Sequence, residues 1–340
     1  MRSLIIIILI LAAAPVFSDA QGKPPVIVDT DAGIDDLMAI AYLLAGREVE
    51  LRAITVVNGV AHVEQGARNI LGLLQLGGRR DIPVFIGESR PLTGNAAFPE
   101  EWRTLSDNLP GVELPANARS PENRSAVEYL AEEFRLPPGG PSLRILALGP
   151  LTNLARALAG KGGRVRGIRS IVIMGGAISA AGNLGDGGVF KTDNKTAEWN
   201  MYIDPTAASR VFASGIPIEL VPLDATNHVP VDAGFVDGFS KRAAGPLGRF
   251  VSQLFAGERE MVEKHVFYAW DPLAAVVLTH PGIASFTERC IEVRAKPPSE
   301  GQTHVVLGQK PNARVAVDAD PAAFKRLFSE AFHPNATRGH

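Results

Sequence analysis

The chain has 340 residues, 46% of them hydrophobic, and a formal charge of −2. That balance fits one large α/β globule; it offers no basic surplus for nucleic acid, and a lone cysteine, Cys290, rules out an intrachain disulfide. Pro and Gly are spread along the chain, with no internal repeat and no second domain boundary.

Residues 1–20 have the layout of a signal peptide. Arg2 is the positive start, Leu4 to Ala14 the apolar centre, and Ser18-Asp19-Ala20 a small-x-small cleavage site. The apolar run is short for a stable span. The expectation is therefore an exported protein, periplasmic or secreted, with no membrane attachment after cleavage and a folded domain over residues 24–335.

The organising stretch follows, Val26-Ile-Val-Asp29-Thr30-Asp31-Ala-Gly33-Ile-Asp35-Asp36. Apolar residues without alternation read as a strand buried on both faces of a parallel sheet, Gly33 marks a turn, and a helical pattern begins at once. Ligands of such sheets bind beyond the carboxyl ends of the strands, where these four carboxylates lie. Like charges so close raise one another's pKa unless something positive sits among them, and hard oxygen ligands without Cys or His suit Ca²⁺ or Mg²⁺. The competing explanation is local: Asp35 and Asp36 favour the first turn of a helix, and Asp29 or Asp31 is a possible cap. Capping employs one or two acids and leaves the others unexplained.

Leu37 to Ala45 reads as a helix closed by Gly46, Val49 to Val57 as a strand, Val63 to Leu76 as a helix and Ile82 to Ile86 as a strand. Residues 88–119 carry Phe98 and Trp102 without a clear period and read as a long loop, with Trp102 either stacking on a ligand or pinning the loop. Ser120-Pro121 is expected to open a helix. Strand Leu143 to Leu148 runs into Gly149-Pro150-Leu151-Thr152-Asn153, and strand Ile171 to Met174 into Gly175-Gly176. Ser179 to Lys195 reads as a mobile Gly/Asn/Asp loop leading to Ala197-Glu198-Trp199-Asn200-Met-Tyr-Ile-Asp204-Pro205. A strand over Ile216 to Val221, helices within 231–264, and a helix opened by Tyr268-Ala-Trp270-Asp271-Pro272 come next. Two or three β segments between Cys290 and Ala316 and a closing helix, Pro321 to Phe332, complete the chain.

Four of these stretches, in this order, resemble the nucleoside hydrolase family: the Asp-x-Asp-x-Gly-x-Asp-Asp turn, Gly-Pro-Leu-Thr-Asn, the Glu198–Asn200 segment, and the Asp271-Pro272 helix start. The resemblance implies a single-domain α/β fold, an open and mostly parallel sheet with helices on both faces. It implies hydrolysis of the N-glycosidic bond of a small-molecule ribonucleoside to ribose and free base. Calcium would be held by Asp31, Asp35, Asp36, Asp271 and the Thr152 carbonyl, with Asp31 as general base. Glu198 and Asn200 would bind ribose hydroxyls, a carboxylate and an amide offering acceptors and a donor to a vicinal diol. Asn58, Met174 and Asn183, the last preferred over Asn194, complete the expected substrate contacts, and family members are commonly dimers or tetramers.

Two positions depart from the broad-specificity pattern. Where those members carry a His before the helix-opening Asp this chain has Trp270, whose indole N–H cannot act as an acid near neutral pH. Trp199 lies between the sugar-binding Glu and Asn. Two indoles placed to sandwich a base resemble the purine-preferring branch, so purine ribonucleosides are expected; core packing of both is the alternative. The family's Gly-Asn after the second strand is here Val57-Asn58-Gly59-Val60, leaving Asn58 as a shifted candidate. A non-catalytic nucleoside-binding protein, or a dehalogenase-type phosphatase with Asp29 as nucleophile, are the other readings.

Overall fold

The computed structural model describes residues 23–115, 119–136, 143–159, 165, 167–185 and 188–333. The expected leader, residues 1–20, lies outside them. Among the described residues no helix is long and apolar enough to cross a membrane.

The elements run β1 (Pro25–Thr30), α1 (Ile34–Gly46), β2 (Glu50–Val56), α2 (Val63–Leu76), β3 (Val84–Ile86), α3 (Glu100–Asn108), α4 (Ala126–Glu133), β4 (Leu143–Ala147), α5 (Thr152–Ala159) and β5 (Ile168–Met174). They continue with α6 (Trp199–Ile203), α7 (Pro205–Phe212), β6 (Ile218–Val221), α8 (Leu223–Thr226), α9 (Ala233–Arg242), α10 (Gly245–Gly257), α11 (Arg259–Glu263) and α12 (Trp270–Thr279). A short 3-10 turn, Pro281–Ile283, leads into β7 (Ala284–Arg289), β8 (Ile291–Val293), β9 (Thr303–Val305), β10 (Ala313–Ala319) and α13 (Pro321–Ala331).

One eight-stranded sheet, ordered β3-β2-β1-β4-β5-β6-β10-β7, carries the fold, with β8 and β9 forming a separate hairpin. Its pairings are parallel except β10 with β7. This is the expected architecture. Val26 and Val28 of β1 join one buried layer with α1, α12 and α13, while Ile27 joins the layer on the other face with α4, α5 and α7. Burial on both faces is why the strand shows no alternation. β1 has β2 and then β3 on one side and β4 to β6 on the other, so the chain changes direction between β1 and β4. A crevice opens there beyond the carboxyl ends of parallel strands.

Two expectations need correction. The 88–119 stretch is not wholly irregular, because α3 forms within it, with Glu100 and Glu101 in its first turn and Trp102, Leu105 and Leu109 at helical spacing. The helix expected at Ser120 begins at Ser125, whose side chain accepts from the Glu128 backbone N–H while the Glu128 carboxylate accepts from the Ser125 N–H (2.9 Å). Reciprocal capping satisfies two orphan donors and outweighs a Ser-Pro start.

Candidate active site and metal centre

The acidic turn at the end of β1 is held by its own groups. Ala32 has φ 59°, a left-handed conformation uncommon for alanine, and its N–H donates to Thr30 Oγ1 at 3.0 Å. The Thr30 hydroxyl donates to Asp36, and the Gly33 N–H donates to Asp36 Oδ2 at 3.0 Å. Asp36 thus closes the turn while standing in the first turn of α1. Asp31 Oδ2 accepts from the Val60 N–H at 2.9 Å, and the Asp31 carbonyl accepts from Ala61 at 3.1 Å, tying the turn to the segment after β2.

The helices α1 and α12 bring the fourth acid. Near their C-terminal ends the Tyr42 hydroxyl meets Thr279 Oγ1 at 2.9 Å, so the two helices run side by side in the same direction. Their N-termini consequently meet at the carboxyl edge of the sheet. Ligand oxygens of Asp35, Asp36 and Asp271 come within 4.8 Å of one another. Asp271 does not cap α12, whose N-cap is Ala269, and its buried Oδ1 has no hydrogen-bond partner. The local explanation for this acid therefore fails.

Electrostatics points the same way. Burial and then the charge of Asp36 raise Asp31 well above the usual carboxylate range; burial followed by Asp36 and Asp35 does the same to Asp271. Asp35 is half-buried and pushed up to about 7 by burial and Asp36, with Glu258, half-buried at the end of α10, adding to the repulsion. Among the described residues the charges that act on these three are all carboxylates. An orphaned oxygen, a close group of hard carboxylates and no counter-charge fit a divalent cation of the calcium type.

Asp29 has a different task. Its Oδ1 accepts from Thr55 Oγ1 at 2.6 Å and from Asn153 Nδ2 at 2.8 Å, and burial pushes it up to about 7 against those two bonds. Its Oδ1 is spent on these two bonds, and its Oδ2 is buried without a hydrogen-bond partner. Asp29 links β1 to β2 and to α5. The turn before α5 lies against Asp31 as well: a Cβ at Gly149 would fall 2.8 Å from the Asp31 Cβ. Thr152 opens α5 with its hydroxyl donating to Asp204 Oδ2 at 2.8 Å.

The expected sugar residues gather on α6. Glu198 caps that helix, Oε1 accepting from Asn200 N–H at 2.9 Å and Oε2 from Met201 at 3.2 Å and from Gly176 at 2.9 Å. Burial raises its pKa despite these bonds. Three donors on four lone-pair sites leave room for one hydroxyl. Asn200 Nδ2 donates to the carbonyls of Leu148 (2.8 Å) and Met174 (3.3 Å) and lies 3.7 Å from the Met174 sulfur. Its donor group is therefore spent, and what it can offer a sugar is its carbonyl oxygen, a correction to the expected donor role. Asn183 Oδ1 accepts from the Trp199 N–H at 3.2 Å. Asn194 is consumed by its own turn, accepting from Thr196 and Ala197 and donating to the Glu300 carbonyl. Asn58 is 5% exposed, with an Oδ1 that has no partner, and it precedes Gly59, which lies against the Asp31 carboxylate.

The two tryptophans are not assembled as a pair. Trp199 is 5% exposed, stacked on Phe98 at 4.8 Å and flanked by Trp102, Phe190 and Tyr202. Trp270 is half-buried beside Phe267 and Tyr268. Trp102 accordingly pins α3 to the body. Sequence reasoning missed Thr30, Gly59, Asn153 and Asp204; their parts depend on contacts across the sheet, and only the Asp204-Pro205 helix start had a local signal.

Residues 26–326 match the family described as inosine-uridine preferring nucleoside hydrolase. A pyrimidine-specific ribonucleoside hydrolase, RihA, of Salmonella gallinarum (strain 287/91 / NCTC 13346) is 36% identical over 90% of this chain and 97% of the relative. Among solved structures, a plant nucleoside hydrolase, PpNRh1, superposes with a TM-score of 0.80 at 28% identity, covering 92% of this chain and 100% of the other. A purine-preferring ribonucleoside hydrolase from Gardnerella vaginalis gives 0.78 at 27% identity, covering 93% of this chain and 100% of the other. The expected likeness to the purine-preferring branch is overturned by the first of these, since the relative at higher identity is pyrimidine-specific. Trp199, one of the two indoles behind that expectation, is buried in a cluster with Phe98, Trp102, Phe190 and Tyr202, which is the core packing weighed as the alternative.

Proposed function

The chain belongs to the inosine-uridine preferring nucleoside hydrolase family and is an N-glycosyl hydrolase, and from that premise we propose a calcium-dependent enzyme acting on pyrimidine ribonucleosides with Asp31 as general base. The observation that carries this reading is the buried, uncompensated group of Asp31, Asp35, Asp36 and Asp271 at the β1/β4 crevice. Asp31, Asp35, Asp36, Asp271 and the Thr152 carbonyl would hold the ion. When bound, calcium supplies the positive charge that holds a ribose diol and eases deprotonation of a water.

The chain's own groups do the rest. Asp31 rests one oxygen on the Val60 N–H, which orients the carboxylate and leaves the other oxygen to take the proton of the attacking water. Glu198 and the Asn200 carbonyl accept from sugar hydroxyls, while Asn58, Met174 and Asn183 line the approach. As the glycosidic bond breaks, positive charge grows on the sugar and the surrounding carboxylates stabilise it. Trp270 can exclude water but cannot protonate the departing base. The preference for pyrimidines rests on the pyrimidine-specific relative, and the leader-like residues 1–20 support an exported enzyme.

The test is reducing-sugar release from uridine, cytidine, inosine, guanosine and adenosine, with and without prior calcium removal. Chelator-sensitive release, fastest from uridine and cytidine, is expected. Binding without release would leave a nucleoside-binding protein, and faster release from the purine nucleosides would overturn the base preference.

A further inference from the structure

Asp204 is fully buried at the junction of α6 and α7, and no cation accompanies it among the described residues. Its two oxygens accept from three separate segments. Oδ1 takes the Ala207 N–H at 2.9 Å and caps α7. Oδ2 takes the Thr152 hydroxyl at 2.8 Å and the Leu92 N–H at 2.6 Å. Capping needs only the first of these bonds. The second oxygen holds the first residue of α5 and the start of the segment that carries Phe98 and Trp102.

We propose that Asp204 is a positioning residue for the metal centre: by fixing the Thr152 side chain, it sets the direction of the Thr152 carbonyl, and by holding Leu92 it anchors the wall around the sugar-binding helix. A threonine whose hydroxyl is tied down is held in one χ1 rotamer, and because Thr152 is the first residue of α5 the same bond pins the start of that helix, whose backbone aims the carbonyl. A carbonyl already aimed loses no further entropy when it meets an ion. Residues that orient metal ligands in this indirect way change affinity by about 10–100-fold when removed. The inference rests on the reading of Thr152 as a ligand and adds the residue that aims it.

Asp204→Asn separates this role from capping. The amide keeps an oxygen for Ala207 but turns a donor toward the Leu92 N–H, which itself only donates. Thr152→Val removes the hydroxyl and preserves side-chain volume, and Thr152→Ser restores the hydroxyl. The measurement is calcium affinity by titration calorimetry on the full mature chain, with thermal melts alongside. We expect a calcium Kd raised about tenfold or more in Asp204→Asn and Thr152→Val, and recovered by Thr152→Ser. Unchanged calcium affinity with only a lowered Tm would overturn the proposal. If Asp204→Asn does not fold, the Thr152 pair decides alone. A wild-type chain that binds no calcium would instead defeat the underlying reading of the site.

Discussion

Gly59 leaves no space for a side chain beside Asp31: a Cβ there would lie 1.9 Å from the Asp31 Oδ2 and 2.5 Å from its Cγ. The constraint is contact and not backbone, for Gly59 has no positive φ. Gly59→Ala must displace the proposed base or the segment after β2. Such overpacking costs about 1–3 kcal/mol, and a misplacement of the order of an ångström costs about 10²-fold in kcat/KM. Steady-state kinetics together with a melt checks it; near-normal kcat/KM would remove the argument that this glycine shapes the base.

Asp31→Asn keeps shape and the acceptor for Val60 but removes the proton-taking group. Turnover should fall by about 10³-fold or more. Stability without metal should move the other way, since one of several repelling charges disappears. The paired readout is kcat and the Tm of the chelated protein. Turnover within tenfold of wild type would rule out Asp31 as the base.

Calcium and pH are linked through Asp31, Asp35 and Asp271. Their folded pKa values are raised, Asp35 to about 7, so the metal-free fold binds more protons than the unfolded chain. The contribution of these three groups to metal-free stability is therefore fully present below the unfolded value, roughly 4, and is lost as pH rises through the raised folded values. Calcium opposes that loss, adding about 2.7 kcal/mol at a hundredfold excess over Kd. Melts at pH 5 and pH 8 should show the larger calcium-induced gain at pH 8. An equal gain at both would contradict the linkage.

Trp199 should behave as a core residue. Trp199→Ala would remove the centre of the Phe98, Trp102 and Phe190 cluster, with a cost of about 3–5 kcal/mol. The ratio of kcat/KM for uridine to that for inosine should hold within about twofold, because the loss falls on packing. A selective change in that ratio would return Trp199 to the base site.

The acidic turn was legible because its chemistry is local: four carboxylates within eight residues, after an unbroken apolar strand, leave few physical explanations. Asp271, expected as a ligand, had the pattern of a helix cap as its competing reading, and the structure makes Ala269 the N-cap and sets Asp271 beside Asp35 and Asp36. Glu198 caps α6 while keeping one acceptor site, so the structural role leaves room for the expected functional one. Helix α3 had a signal in the spacing of Trp102, Leu105 and Leu109, obscured by the flanking Gly and Pro. The surroundings of Trp199 were not readable, because Phe98 and Trp102 come from a segment about a hundred residues away and Phe190 from a loop without a period. Strand order was equally hidden: β10 enters between β6 and β7, a placement no local pattern encodes.

The separation of the aromatic clusters has a spectroscopic consequence. Of the three tryptophans in the chain, Trp102 and Trp199 are neighbours at 5.4 Å, whereas Trp270 stands apart and immediately precedes Asp271. Intrinsic emission thus comes from one packed pair and one half-buried indole adjoining the proposed metal ligand Asp271. Calcium binding at that acid should therefore change the emission of Trp270 without any substrate present, and Trp270→Phe should abolish the change.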